Sequence, residues 1–276
     1  MRLVDLTTKP WQLMLPGEKE TSLNKMVYLP GTLDEFGVGH EDRLDNSCHP
    51  DETTAQSFDD DVIATRFTRK HTYEGPAYFE QEIMIAPADK CRTFFEIERA
   101  RCVRVYLDGE EISSYEEQTI STPHVFELTG HEGIHRLRVE SDNSYPGLPH
   151  DAIVYSSAAT DETQTNWNGL LGYIRLREEN PIFLSQVRVY PKDGGKLRAE
   201  IDLDTYDEPF EGVLVLKSSV LLHDYEQKIS VMTSNSRKTI LAEDLLISSS
   251  AANWDEYDGK LYELTAALYK LSLIHI

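Results

Sequence analysis

Short runs in which apolar and polar residues alternate recur along most of the chain, and the spacing typical of an amphipathic helix is nearly absent. Side chains on a strand point alternately to opposite faces, so such runs predict half-buried β-strands. Between two of these runs, Asp108-Gly109 predicts a hairpin turn because both residues tolerate positive φ. The sequence therefore predicts an all-β protein, with a first series of strands at 79–85, 93–98, 103–107, 110–112, 124–128 and 135–140.

A second series of strands follows the polar segment 178–181, which ends in Pro181, a residue that cannot donate to a strand ladder. We place a domain boundary there, which gives domains at 1–180 and 181–270. The first series predicts a sandwich or jelly roll, and so many short strands in the second predict an immunoglobulin-like β-sandwich. The strands of the second series are predicted at 186–190, 197–203, 212–216, 228–232, 240–247 and 261–268.

The charge of the chain limits its partners. Its 276 residues include 27 Lys and Arg against 48 Asp and Glu, a net charge of -21. This negative field repels phosphate backbones and anionic membranes, so neither nucleic acid nor a membrane is expected as a partner. The N-terminus lacks the apolar core of a signal peptide, and no segment is apolar enough to span a bilayer, so a cytoplasmic location is expected.

Neither a metal nor a cofactor is expected. Cys48, Cys91 and Cys102 lack the paired spacing of a disulfide framework or a zinc site, which favours a reducing compartment. The sequence contains no phosphate-cradling Gly-rich loop. Five other residues are potential ligands but lack the close spacing of familiar metal sites: His40, His49, His71, Asp45 and Asp51.

Three stretches resemble the N-terminal half of glycoside hydrolase family 2, the family of β-galactosidases, β-glucuronidases and β-mannosidases. LPGTLDEFG at 29–37, followed by YEGPAYFEQEI at 73–83, is similar to the opening of that family's sugar-binding domain. DETQTNWNGLLG at 161–172 resembles the loop leading into its closing strand. WDEYDGKLYELT at 254–265 looks like the last strand of the immunoglobulin-like domain that follows.

The resemblance implies a galactose-binding-like jelly roll followed by an immunoglobulin-like sandwich. In the family, a (β/α)₈ barrel comes next and carries both catalytic glutamates, so this chain is expected to end before the catalytic domain and to contain no catalytic residue. A retaining glycosidase needs two carboxyl groups about 5–5.5 Å apart, and no acid here matches those motif positions. The implied partners are a β-glycoside, the barrel of the same polypeptide and a second copy of the chain.

The last residues, 271–276, are expected to be a non-native tail, because they also read as a translated transposase mosaic end. The alternative is a native apolar strand end.

The candidate carbohydrate-lining residues lie in and near the second of the three stretches. Trp167 is expected to be a buried ring closing the sandwich, and its alternative role is a sugar-stacking platform. The neighbouring neutral side chains suit either hydroxyl recognition or a structural loop. Asn143 is expected in a turn, with a place facing the sugar as the alternative. The full candidate set is Asn143, Asp161, Thr163, Gln164, Asn166, Trp167 and Asn168.

Three functions remain open at this stage. The resemblance favours the non-catalytic N-terminal part of a β-galactosidase- or β-glucuronidase-like enzyme, whose loops border the active site of the barrel. The second is a stand-alone lectin-like module that binds saccharide. The third is a structural pair of sandwiches that makes oligomer contacts.

Overall fold

The computed structural model describes residues 1–16, 25–41, 71–114, 122–147, 149, 166–222 and 226–270. These ranges form β-strands and contain no helix, which confirms the all-β prediction. They accordingly hold no helix that is long and apolar enough to cross a membrane. The chain divides into two compact units, Met1–Glu178 and Glu179–Ile276.

The first unit is built mainly from a four-stranded and a six-stranded antiparallel sheet. Its strands are β1 (Arg2–Asp5), β2 (Trp11–Met14), β3 (Lys25–Val27), β4 (Gly31–Thr32), β5 (His40–Glu41), β6 (His71–Thr72), β7 (Pro76–Ile85), β8 (Arg92–Ile97), β9 (Cys102–Leu107), β10 (Glu110–Ile112), β11 (His124–Glu127), β12 (Gly133–Asp142), β13 (Gly169–Leu170) and β14 (Ile174–Glu179). The sheet orders are β1-β14-β8-β11 and β10-β9-β12-β7-β2-β3, with the small pairs β13-β4 and β5-β6.

One hydrophobic core joins the two larger sheets of this unit. β7 alternates buried and more exposed residues along its length, as its sequence predicts, and it buries Phe79 and Ile83. The six-stranded sheet also buries Trp11, on β2. From the four-stranded sheet, β8 contributes Phe95 and Ile97. Burial of apolar side chains contributes about 25 cal/mol per Å² removed from water, so this shared core is the main source of the unit's stability.

The second unit has the predicted sandwich of short antiparallel strands. It contains β15 (Phe183–Lys192), β16 (Lys196–Asp204), β17 (Phe210–Lys217), β18 (Glu226–Thr233), β19 (Arg237–Leu246) and β20 (Thr265–Lys270). Two three-stranded sheets, β15-β16-β19 and β18-β17-β20, share a core that includes Ile201, Leu214 and Ile240.

The last strand is shifted from its predicted position. The strand predicted at 261–268 is observed at Thr265–Lys270, and all but the final residue of the family-like stretch 254–265 is outside any strand. The Asp255 carboxylate accepts hydrogen bonds from the backbone of Tyr257 and Asp258 at 2.9 and 2.7 Å. These bonds bend the chain locally and replace the extended backbone that a strand requires.

Residue His124, at the start of β11, is expected to make the stability of the fold depend on pH. Its ring is buried, Nε2 lies 3.3 Å from the Ala100 carbonyl oxygen, and Nδ1 has no hydrogen-bond partner among the described residues. Burial lowers the pKa of His124, because a charged ring in this position would be desolvated.

We therefore expect the free energy of unfolding to decrease as the pH falls below about 6.5, the ordinary histidine pKa, because the unfolded chain then takes up a proton that the folded chain does not. The stability contributed by the neutral His124 ring is fully present above that pH. It decreases as the pH falls further and is lost once the pH is below the folded-state pKa. Urea unfolding between pH 5 and pH 8 measures the slope. His124→Gln should flatten it. Equal slopes in wild type and His124→Gln would contradict this prediction.

Candidate carbohydrate-lining site

Four segments of the first unit meet at one end of its six-stranded sheet. In the strand register, Asp142 at the end of β12 lies opposite both Pro76 of β7 and Cys102 of β9. The residues just beyond these ends, Gly75, Arg101 and Asn143, are therefore brought together although they are far apart in sequence. The fourth segment, 166–168, arrives at the same place directly before β13.

Residue Asn143 is buried and uses its amide to hold two neighbouring segments. Its Oδ1 accepts a hydrogen bond from the Gly75 backbone N–H at 2.9 Å, and its Nδ2 donates to the carbonyls of Tyr73 and Asn166, both at 2.9 Å. In return, Asn166 Nδ2 donates to the Asn143 carbonyl at 3.0 Å. Both donors and the acceptor of the Asn143 side chain are thus engaged by protein backbone, which gives this residue a structural role in the loop.

Residue Asn168 is also buried and has a similar role. Its Nδ2 donates to the carbonyl oxygens of Gly75 and Ser141 at 2.7 and 3.1 Å. The next residue, Gly169, has φ +140° and passes so close to β4 that a Cβ there would lie 2.3 Å from the Gly31 carbonyl oxygen. Only glycine fits this close approach, so Asn168 and Gly169 together fix where residues 166–168 join the sandwich.

Trp167 is half-buried, whereas the sequence predicts a buried ring that closes the sandwich. The guanidinium carbon of Arg101 lies 4.0 Å from the centroid of the Trp167 ring, and Arg101 Nε donates to the Trp167 carbonyl at 3.2 Å. The Arg101 side chain is itself buried. A cation stacked on an indole is stabilising, and here it covers one face of the ring. A sugar stacked on Trp167 is therefore restricted to the opposite face.

Two further groups near Arg101 are kept uncharged. Burial raises the pKa of the Tyr145 phenol, whose ring centroid lies 5.8 Å from the Arg101 guanidinium carbon. Burial, followed by the Asp142 carboxylate, raises the pKa of the Cys102 thiol. A protonated thiol is a weak nucleophile, so Cys102 is not suited to covalent catalysis at neutral pH.

The structure thus brings together Asn143, Asn166, Trp167 and Asn168 from the candidate set. The other three candidates, Asp161, Thr163 and Gln164, lie outside the described residues. Sequence reasoning missed Arg101, and the only signal for it is a basic residue directly before a strand, which many surface arginines share.

The described part of the chain contains no group of three or more His, Cys, Asp or Glu residues arranged to hold a metal ion. Of the five potential ligands considered, Asp45, His49 and Asp51 lie outside that part. His40 and His71 are on the paired strands β5 and β6, and His71 Nδ1 lies 3.2 Å from an Asp34 carboxylate oxygen.

The whole chain is similar in structure to parts of several solved glycosidases. A GH2 β-galacturonidase from Eisenbergiella tayi, bound to galacturonate, matches with a TM-score of 0.66 and 19% identity, over 98% of this chain and 41% of the enzyme. A β-D-mannosidase from Dictyoglomus thermophilum matches with a TM-score of 0.65 and 15% identity, over 98% of this chain and 34% of the enzyme. A β-glucuronidase from glycoside hydrolase family 2 matches with a TM-score of 0.65 and 13% identity, over 97% of this chain and 29% of the enzyme.

No protein-family model and no curated protein matches the sequence. The chain spans less than half the length of each of these three enzymes. At this level of identity the agreement is one of fold. The chain therefore shares the fold of a part of each of these three enzymes.

Proposed function

We propose that the chain is the non-catalytic N-terminal part of a family 2 β-glycosidase, and that a (β/α)₈ barrel of the same polypeptide carries the catalytic carboxyl groups. The observation that carries this proposal is the extent of the match, which takes in 98% of this chain but only 41% of the β-galacturonidase. A match to one sandwich alone could reflect a single domain type that occurs in many unrelated proteins. A match over two successive domains is harder to explain in that way.

The buried carboxylates of the first unit support a non-catalytic role. Glu96 receives hydrogen bonds from Arg175 and Arg177 at 2.8 and 2.5 Å. Glu178 is paired with Arg2 at 3.0 Å, and Asp142 accepts bonds from the Ser144 N–H and hydroxyl. These carboxylates are thus engaged by donors of their own unit, whereas a retaining glycosidase needs two carboxyl groups about 5–5.5 Å apart that flank the glycosidic bond.

In this proposal the edge formed by Asn143, Trp167 and Asn168 borders the sugar-binding cleft. The asparagines fix the loop backbone, and the half-buried Trp167 supplies the aromatic surface of this edge. The substrate is a β-glycoside. Its sugar is selected chiefly by residues of the barrel, since discrimination needs polar groups placed directly against the sugar hydroxyls or carboxylate.

We expect the 276-residue chain to be catalytically inert, because glycoside hydrolysis needs a pair of positioned carboxyl groups that this region of the enzyme does not supply. Release of nitrophenol from β-galactoside, β-glucuronide, β-mannoside and β-galacturonide substrates is the measurement. A preparation from the same host carrying an empty vector is the control for contaminating glycosidase. The natural polypeptide that contains this segment and extends through a barrel should hydrolyse at least one of the four.

Turnover above the control by the 276-residue chain would contradict the proposal. So would a natural gene that encodes no barrel after this segment. Tight saccharide binding by the chain alone, without turnover, would favour the lectin-like module.

A further inference from the structure

A short loop of the second unit exposes an unusual amount of apolar surface. Within residues 252–262, here called the aromatic loop, the exposed fractions are 63% for Trp254, 91% for Tyr257, 86% for Leu261 and 40% for Tyr262. Single exposed apolar residues are normal, but several large ones on one short loop indicate a binding surface. Tryptophan and tyrosine are also the residue types most enriched at binding hot spots.

The aromatic loop is folded. Besides the two bonds to the Asp255 carboxylate, the Lys260 N–H donates to the Asp258 carbonyl at 2.8 Å. The Ala252 N–H donates to the Tyr262 hydroxyl oxygen at 2.8 Å and so ties together the two ends of the loop. The Trp254 ring lies over Gly259, where a Cβ would be 3.2 Å from Nε1. The loop therefore presents its aromatic side chains in a fixed arrangement, which lowers the entropic cost of binding.

The charges on and beside the loop indicate the chemistry of its partner. Asp255, Glu256 and Asp258 lie among the aromatic residues and Glu263 follows them, whereas Lys260 is the only basic residue in 252–263. A complementary surface has an apolar cleft for the rings and a rim of Lys or Arg side chains. A second copy of this chain is a poor match, because its net charge of -21 adds repulsion to the contact.

We propose that the aromatic loop docks onto the catalytic domain of the parent enzyme, in an apolar cleft with a basic rim. This inference rests on the proposed function, in which most of the polypeptide lies beyond the region matched here. β20 follows the loop within a few residues and pairs with β17 of the core. A domain that continues from β20 thus begins close in sequence to the aromatic loop. The pairing of β20 with β17 anchors the loop to the core of the second unit, next to the start of that domain.

The fluorescence of Trp254 tests this docking directly. Trp11 is fully buried and Trp167 half-buried, so Trp254 is the most exposed of the three tryptophans. The difference in acrylamide quenching between wild type and Trp254→Phe isolates its signal. We expect strong Trp254 quenching in the 276-residue chain, independent of protein concentration and of added galactose or glucuronate. In the natural polypeptide that contains this segment, the quenching should fall several-fold.

A matched pair of tyrosine variants provides a second readout. Tyr257→Ser should leave the melting temperature of the 276-residue chain unchanged but lower that of the natural polypeptide. Tyr28→Ser, which replaces a tyrosine that is 67% exposed on the first unit, should change neither. The comparison separates loss of the contact from a general effect of removing an exposed ring.

Several outcomes overturn the docking. They are unchanged Trp254 quenching in the natural polypeptide, shielding that appears in the 276-residue chain as its concentration rises, and shielding by free sugar. The last two assign the loop to self-association or to saccharide. Glycosidase activity of the natural polypeptide is read separately, so an active enzyme with an exposed Trp254 rejects the docking alone. An inactive polypeptide in which Trp254 is shielded rejects only the proposed glycosidase function.

Discussion

Replacing Trp11 with alanine is expected to lower the free energy of unfolding by about 3–5 kcal/mol. Its indole is fully buried in the core of the first unit, and Nε1 donates a hydrogen bond to the Leu6 carbonyl at 3.0 Å. The variant loses both the burial of a large aromatic ring and the packing of its neighbours, and it leaves a cavity. Urea unfolding followed by circular dichroism measures the loss.

The same substitution at Trp167 is the internal comparison. Trp167 is half-buried and stacks against the Arg101 guanidinium, so Trp167→Ala is expected to cost only about 1–2 kcal/mol. This expectation differs from the sequence-based one, which places Trp167 in the core. Equal losses at the two positions would show that Trp167 is as much a core residue as Trp11.

The strands that the sequence predicts well are those whose pattern and turn chemistry agree. β9 and β10 are joined by Asp108 and Gly109, which both have positive φ, at 52° and 92°. The Asp108 carboxylate also accepts the Arg136 N–H of β12 at 2.8 Å, so the turn is fixed by a neighbouring strand as well. Local propensity and tertiary contact favour the same structure here, and the prediction is confirmed.

Most of the strands that were missed are short or lack alternation. Along β1 only one of four residues is even partly buried, and this strand exists because its backbone pairs with β14, more than 160 residues later in the chain. β4 and β13 are two residues each and depend on one another. Pairing partners so distant in sequence leave no local pattern, so single-sequence reasoning has nothing to detect.

The same distinction explains what could be predicted of the candidate site. A turn at Asn143 follows from local sequence, and the structure places the residue in a bend after β12. The contact between Arg101 and Trp167 joins residues 66 positions apart, and it depends on the register that aligns the ends of β7, β9 and β12. The sequence identifies the residue types of the site, and the sheet register decides which of them meet.

Replacing Asn143 with alanine is the sharpest test of this site, and we expect it to cost about 3 kcal/mol or more of unfolding free energy. The variant removes the acceptor for the Gly75 N–H and the donor to the carbonyls of Tyr73 and Asn166, and each buried polar group that loses its partner costs about 1–3 kcal/mol. Thermal and urea unfolding measure the effect. Asn180→Ala, at an exposed position near the start of the second unit, is the control and should change stability by less than about 0.5 kcal/mol.

The alternative role for Asn143, a side chain facing the sugar, predicts the opposite result. A residue kept for substrate contact can be shortened with little loss of stability, and the cost then appears as weaker substrate binding by the natural polypeptide. A melting temperature for Asn143→Ala equal to that of Asn180→Ala, together with a raised KM in the longer enzyme, would reject the structural role. Because three hydrogen bonds join this buried amide to backbone atoms of neighbouring segments, we expect the loss to appear in stability, already in the 276-residue chain.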